Sequence, residues 1–174
     1  MVTLHEQDYT KNKKRYLDTL KTLRQVLGET TPIDHVGSTA IPSIEYGKNI
    51  LDILVGAIDS DDFIRLYNHI HNLGYQPSKN SKTDIYQFFA TRTGETTDAD
   101  THIHLVLMGT DRYLDFIRLR DYLLYNSDEA IAYSMHKQEL LGKGIVDRKE
   151  YRATKSKYVE ALIDRARAYA DKNK

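Results

Sequence analysis

His35-Val36-Gly37-Ser38-Thr39-Ala40-Ile41-Pro42, followed by Lys48-Asn49-Ile50-Leu51-Asp52-Ile53-Leu54-Val55, decides how this chain reads. A β-type run ends in a Gly-Ser turn, and a single acid then stands inside an otherwise apolar β-type run. A carboxylate in a buried strand must be neutralised, hydrogen-bonded or bound to a cation. A Gly-Ser turn offers N–H groups and a hydroxyl to a phosphate. Alternation puts Asp52, Leu54 and Gly56 on one face of the strand and Ile53 and Val55 on the other. Together the two elements point to a metal-assisted phosphate site. Each also has a plainer reading: a tight turn, and a strand-end acid that caps a loop or pairs with Lys48.

The flanking segments supply a frame for this pair. Tyr16, Leu20, Leu23 and Leu27 recur at helical spacing, and Gly28 is a helix stop. Residues 33–37 read as a short strand, 38–47 as a loop or broken helical turn holding Pro42 and Gly47, and 49–58 as a buried strand. Ser60 reads as an N-cap, with Asp61 and Asp62 in the first turn and Phe63, Leu66, Tyr67, Ile70 and Leu73 on one face of a helix ending at Gly74. Residues 84–92 and 101–108 are β-rich, and the polar residues 93–100 read as a hairpin loop. Helices are expected from near Thr110, Ser127 and Asp147, the last with Glu150 placed for a capping box. This order predicts an α+β fold: a small mixed sheet with helices on one face, plus a C-terminal helical segment. Residues 1–174 read as one domain, with a core over about 1–109 and the added helices over about 110–174.

The chain's 174 residues can bury a sizeable core. Its 25 basic and 25 acidic residues cancel, so nothing global argues for a nucleic-acid partner, although a local patch is compatible with that balance. Cysteine is absent, which excludes disulfides and thiolate zinc sites and fits a reducing compartment. No apolar run is long enough to span a membrane and the N-terminus is polar, so the expectation is a cytoplasmic protein with no membrane partner. Thirteen tyrosines suit pocket walls as well as core edges.

Two further groups carry chemistry. His102 and His104 lie two apart on a β-type run and so face one way; neutral they suit a metal, charged they suit phosphate. A polar strand face turned to solvent is the alternative. Tyr133 with Lys137, and Tyr151 with Lys155 and Tyr158, share helical faces, and Arg120 precedes them. Lysine on a tyrosine-bearing face suits a pocket wall or a snorkelling boundary. His35, just before the glycine turn, is a candidate pocket residue. His69 and His71 read as surface residues, and His5 and His136 carry no signal.

These residues, in this order, resemble the GrpB-like family, a branch of the nucleotidyltransferase-fold superfamily. The matching motifs are residues 35–42 and 48–55, Leu73-Gly74-Tyr75, His102-Ile103-His104, Leu119-Arg120-Asp121-Tyr122-Leu123, and the two Tyr/Lys pairs. Asn49 stands where the family usually has proline, and Ser43-Ile44-Glu45 departs from its usual Gly-Leu. Polymerase-beta-type nucleotidyltransferases place a Gly-Ser turn before a strand with acids at i and i+2 that hold magnesium against nucleotide phosphates. Here Asp52 fits the first acid and Leu54 takes the place of the second, so His102 and His104 are the expected replacements. The resemblance implies the fold, and the phosphate turn and acid placed on it lead us to expect a nucleotidyl transfer from a nucleoside triphosphate to an unidentified acceptor. Asp52, His102 and His104 would be catalytic and would hold Mg2+ or Mn2+. Gly37, Ser38 and Thr39 would cradle phosphates, Lys48, Lys137 and Lys155 would neutralise them, and His35, Arg120, Tyr133 and Tyr151 would complete the substrate site. The expected partner is a small nucleotide or phosphorylated metabolite. The alternative is a catalytically inactive nucleotide, coenzyme or phosphometabolite binding module, which Leu54 favours.

Overall fold

The computed structural model describes residues 1–79, 82–91 and 100–173. A two-residue strand β1 (His5–Glu6) leads into helix α1 (Tyr9–Leu27). Asp8 caps that helix by accepting from the Lys11 N–H, and Gly28, at φ 106°, ends it. Strand β2 (Ile33–Val36) runs into a 3-10 turn, Ser38–Ala40, and then into the short strand β3 (Tyr46–Gly47) and the long strand β4 (Leu51–Ala57). Helix α2 (Ser60–Asn72), β5 (Gln76–Pro77), β6 (Tyr86–Ala90) and β7 (Thr101–Leu107) complete the sheet. Helices α3 (Asp111–Tyr125), α4 (Ser127–Gly142) and α5 (Arg148–Lys172) follow.

The five-stranded sheet has the order β2-β4-β7-β6-β5. β4 and β7 are parallel, and the other neighbours are antiparallel. The expected mixed α+β sheet is thus present. On one face, Leu23 and Leu27 of α1 and Phe63, Leu66 and Ile70 of α2 pack on Ile53, Val55, Ile103 and Leu105. The other face carries Leu54 and Val106, covered by Tyr113, Phe116 and Ile117 of α3. Burial on both faces is what a central parallel pair requires, and it explains the near-continuous apolar run of β4. The C-terminal helices therefore close the sheet's second face. Ile41 and Ile44, just after the 3-10 turn, pack with Tyr122, Leu123, Tyr133 and Leu162, which fastens the Gly-Ser turn to all three helices.

The local departures from expectation have physical causes. The cap of α2 is Asp59, whose carboxylate accepts from the Asp62 N–H at 2.8 Å, so Ser60 is the first helical residue. β1 and β3, which pair antiparallel, are two residues long and leave no periodicity to read. Asn49 stands at φ 57°, held by Arg15, which donates to its carbonyl (3.0 Å) and its side-chain oxygen (3.2 Å). Proline, locked near φ −65°, could not take that conformation, so this substitution reshapes the approach to β4. The hairpin loop expected at residues 93–100 lies, except for Asp100, outside the described residues. Among the described residues no helix is long and apolar enough to cross a membrane.

Candidate active site

Strand pairing assembles the centre. The β4–β7 register sets Asp52 beside His102 and Leu54 beside His104, and the β2–β4 register sets Val36 beside Asp52. Gly37 follows Val36 directly and faces the carboxylate. A Cβ at Gly37 would lie 2.9 Å from the Asp52 Cβ and still closer to Oδ2. Gly37 also holds φ 72° and ψ −170°, a conformation reserved for glycine. The turn is therefore moulded onto Asp52.

Both imidazoles reach the same carboxylate oxygen. His102 Nδ1 and His104 Nε2 each lie 3.4 Å from Asp52 Oδ1. The Tyr86 hydroxyl lies 3.0 Å from His104 Nδ1, on the ring edge opposite the nitrogen that faces Asp52. Phe88 meets His102 edge-on at 4.8 Å, and Phe116 lies 4.8 Å from His104, so both rings are fixed by aromatic contacts. The Asp52 side chain is a quarter exposed. Burial alone would raise its pKa, but the hydrogen bonds and charges of the two histidines outweigh it and hold the carboxyl well below the usual range.

These three residues meet as a hydrogen-bonded cluster. Among the described residues no three His, Cys, Asp or Glu side chains are set to hold a metal ion. Leu54, at the place of a second acid, is wholly buried among Val36, Val106 and Tyr113 and adds no donor to the cluster. The cluster supplies one carboxylate and two imidazoles, and Leu54 leaves the acid pair of the polymerase-beta type incomplete.

The cluster opens into a cavity of about 680 Å³ between the sheet and the C-terminal helices. Ser38, Lys48, Asp52, His102 and His104 line one side, and Tyr133, Lys137, Tyr151 and Lys155 the other. A smaller chamber of about 250 Å³, which shares Asp52 and His104 with the first, is lined by Gly37 and Arg120. The structure thus brings together most of the residues singled out in the sequence. His35 and Thr39 are the exceptions. His35 pairs with Ile53 in register and so lies on the α1 face, stacked on Tyr16 at 4.8 Å, with Nε2 3.0 Å from the Thr39 hydroxyl. Burial pushes this imidazole down to about 4. Arg120 lines its chamber with its charge already engaged, donating to Asp34 (2.7 Å) and Asp121 (2.8 Å).

The cavity is strongly cationic. Lys137 is 3% exposed, donates to the Tyr46 carbonyl, and lies 4.9 Å from the Tyr133 ring centre. Burial, with Lys155 beside it, pushes this ammonium down to about 7. Tyr133 chiefly, with Asp52, raises Lys155 against the effect of burial. Lys48 sits over the Tyr151 ring at 5.0 Å, and burial pushes that phenol up. Arg112 and Arg152 also line the cavity and were not anticipated. Arg112 lies over the Tyr86 ring at 3.7 Å. The available signal was its position: a cation in the first turn of α3 opposes the helix dipole. Gln7 was equally hidden; its amide donates to the Ser38 hydroxyl at 3.4 Å and fills the space a side chain at Gly47 would need.

The GrpB protein family profile matches residues 2–165. The chain belongs to the GrpB family. Among GrpB relatives, the Glutamate-rich protein GrpB of Alkalihalophilus pseudofirmus is 32% identical over 160 residues, covering 90% of this chain and 91% of the relative. A UPF0157 protein of Pseudomonas aeruginosa is 34% identical over 138 residues, covering 78% of this chain and 55% of that longer protein. This chain thus spans about half the length of the Pseudomonas relative. Among solved structures, the conserved protein GrpB from Enterococcus faecalis superposes with a TM-score of 0.79 at 20% identity, covering 94% and 96% of the two chains. The Cid1 poly(U) polymerase with magnesium GTP bound superposes with a TM-score of 0.51 at 13% identity, covering 78% of this chain and 44% of that one. At these identities the structural likeness establishes a nucleotidyltransferase-like fold.

Proposed function

We propose that this GrpB-family chain binds a nucleoside triphosphate in the 680 Å³ cavity and transfers its nucleotidyl group to a small acceptor. The observation that carries this reading is the charge of the cavity. Lys48, Arg112, Lys137, Arg152 and Lys155 line it, against Asp52 as the one lining carboxylate among the described residues. Five cations around one cavity, with Lys137 among them buried, fit a polyanionic ligand. A divalent ion would enter as part of the substrate, as the metal–nucleotide complex, with most of its ligands coming from phosphate and water.

The chain's own groups then divide the work. Lys137, Lys155 and Arg112 neutralise the phosphates and the departing pyrophosphate. Ser38 and the Gly37 turn hold the phosphates against Asp52. His102, with Nδ1 directed at Asp52, has Nε2 left to take the acceptor's hydroxyl proton, as a carboxylate-backed general base does. The acceptor oxygen bonds to the α-phosphorus as the bond to pyrophosphate breaks. Tyr133 and Tyr151 flank the base or the acceptor.

The test is pyrophosphate release from each nucleoside triphosphate with Mg2+ or Mn2+ over a panel of small acceptors. Wild type is expected to release pyrophosphate, and Asp52→Ala to lower the rate at least about a hundredfold while keeping the fold. Undiminished turnover in Asp52→Ala overturns the role given to Asp52. Leu54 favours a second reading, a module that binds nucleotide, coenzyme or phosphometabolite without turnover. Saturable nucleotide binding with no release across the panel selects that one.

A further inference from the structure

A second cavity, of about 380 Å³, adjoins the first beyond His102. The two share Lys48, Ile50, Phe88, His102 and Arg152 as a common wall. The outer chamber adds Arg148 and Lys149, and no Asp or Glu is among its described lining residues. Four cations thus bound one small cavity in a chain whose charges balance overall. Helix stability does not explain Arg148 and Lys149, which occupy the first turn of α5, where positive charge opposes the helix dipole.

We propose that the outer chamber is a second anion subsite, which holds the phosphate of a small phosphorylated acceptor while its hydroxyl reaches past His102 toward Asp52. This rests on the nucleotidyl-transfer reading for the order of events, though not for the binding itself. Size favours a small molecule. At about 380 Å³ the chamber lies at the small end of the roughly 300–1,000 Å³ range of small-molecule pockets. Single-strand binding would call for a run of stacking aromatics along a groove. Here Phe88 and the His102 imidazole are the aromatic rings among the described lining residues, and they are engaged edge-on with each other. The position is chemically apt. His102 lies on the wall between the chambers, so an acceptor hydroxyl there meets the base and the α-phosphate together.

The experiment is calorimetric titration of the full chain with ribose 5-phosphate as the probe, alone and with a non-hydrolysable magnesium ATP analogue already bound. Both ligands are expected to bind at once. The double variant Arg148→Ala/Lys149→Ala, whose positions are exposed, should weaken ribose 5-phosphate about tenfold or more and change the ATP analogue less than about twofold. Unchanged ribose 5-phosphate affinity in that variant, or one-for-one competition between the two ligands, overturns the subsite. A single-stranded oligonucleotide that binds more tightly than ribose 5-phosphate and is lost in the same variant overturns the small-acceptor assignment. If the ATP analogue does not bind but ribose 5-phosphate does, and the variant loses it, the nucleotide reading fails and the subsite stands.

Discussion

Gly37 and Lys137 are the residues on which the site depends most directly. Gly37 is fixed twice, by its positive φ and by the carboxylate against which it lies. Gly37→Ala should destabilise the chain by about 1–3 kcal/mol from backbone strain and should also push Asp52 away from the histidines. Urea denaturation together with nucleotide titration checks both effects, and an alanine variant equal to wild type in both would contradict this placement. Lys137 ties the site to pH. Its pKa falls in the folded chain from 10.5 to about 7. Between those values the unfolded chain binds more protons, so stability rises with pH, by up to about 1.4 kcal/mol per unit. Below about 7 the folded chain carries the full penalty of a buried charge. Lys137→Met should therefore gain most over wild type near pH 6, and the gain should shrink steadily toward pH 10. A gain independent of pH in denaturation curves would show that this ammonium is not displaced from its ordinary titration.

At the scale of elements, the parallel pairing of β4 and β7 makes the centre, because it sets an acid on one strand beside two histidines on the next. Much of this was legible in the sequence. Period-two alternation gave the shared face of Asp52 and the shared face of His102 and His104, and the caps at Gly28, Thr110 and Asp147 stand where the sequence signals place them. The rest was hidden because it depends on neighbours distant in sequence. Two-residue strands carry no period, and the β2–β4 register that turns His35 to the α1 face, where it stacks on Tyr16, is set only when distant strands pair. Leu54 is instructive here. In sequence it reads as a missing second acid, but in the fold it is a wholly buried core residue under α3. Leu54→Asp should therefore cost more stability than Leu54→Ala, for which about 2–5 kcal/mol is expected. Comparison of the two by urea denaturation tests this. An aspartate variant as stable as wild type, with new metal affinity, would show that the position still tolerates an acid.

For the whole molecule, the meaning of the site lies in where charge collects. The sequence totals zero, and nothing in that total shows that five lysines and arginines line one cavity with a single carboxylate among its described residues. Arg112 and Arg152 could not be assigned there from spacing, since α3 and α5 bring them together with β4 and β7 only in the folded chain. The family motif predicted the Gly-Ser turn, Asp52 and the lysines that surround them. The folded chain adds the cations and the adjoining chamber, and it joins Asp52 to both histidines in one cluster. The most direct test of this account is a crystal structure of the chain with a non-hydrolysable magnesium nucleoside triphosphate. The account predicts phosphates between Ser38 and the pair Lys137 and Lys155, with the α-phosphate facing Asp52 and His102. Nucleotide bound elsewhere, for example in the groove beside Phe63, Tyr67 and Lys82, with this cavity filled only by water, would contradict it.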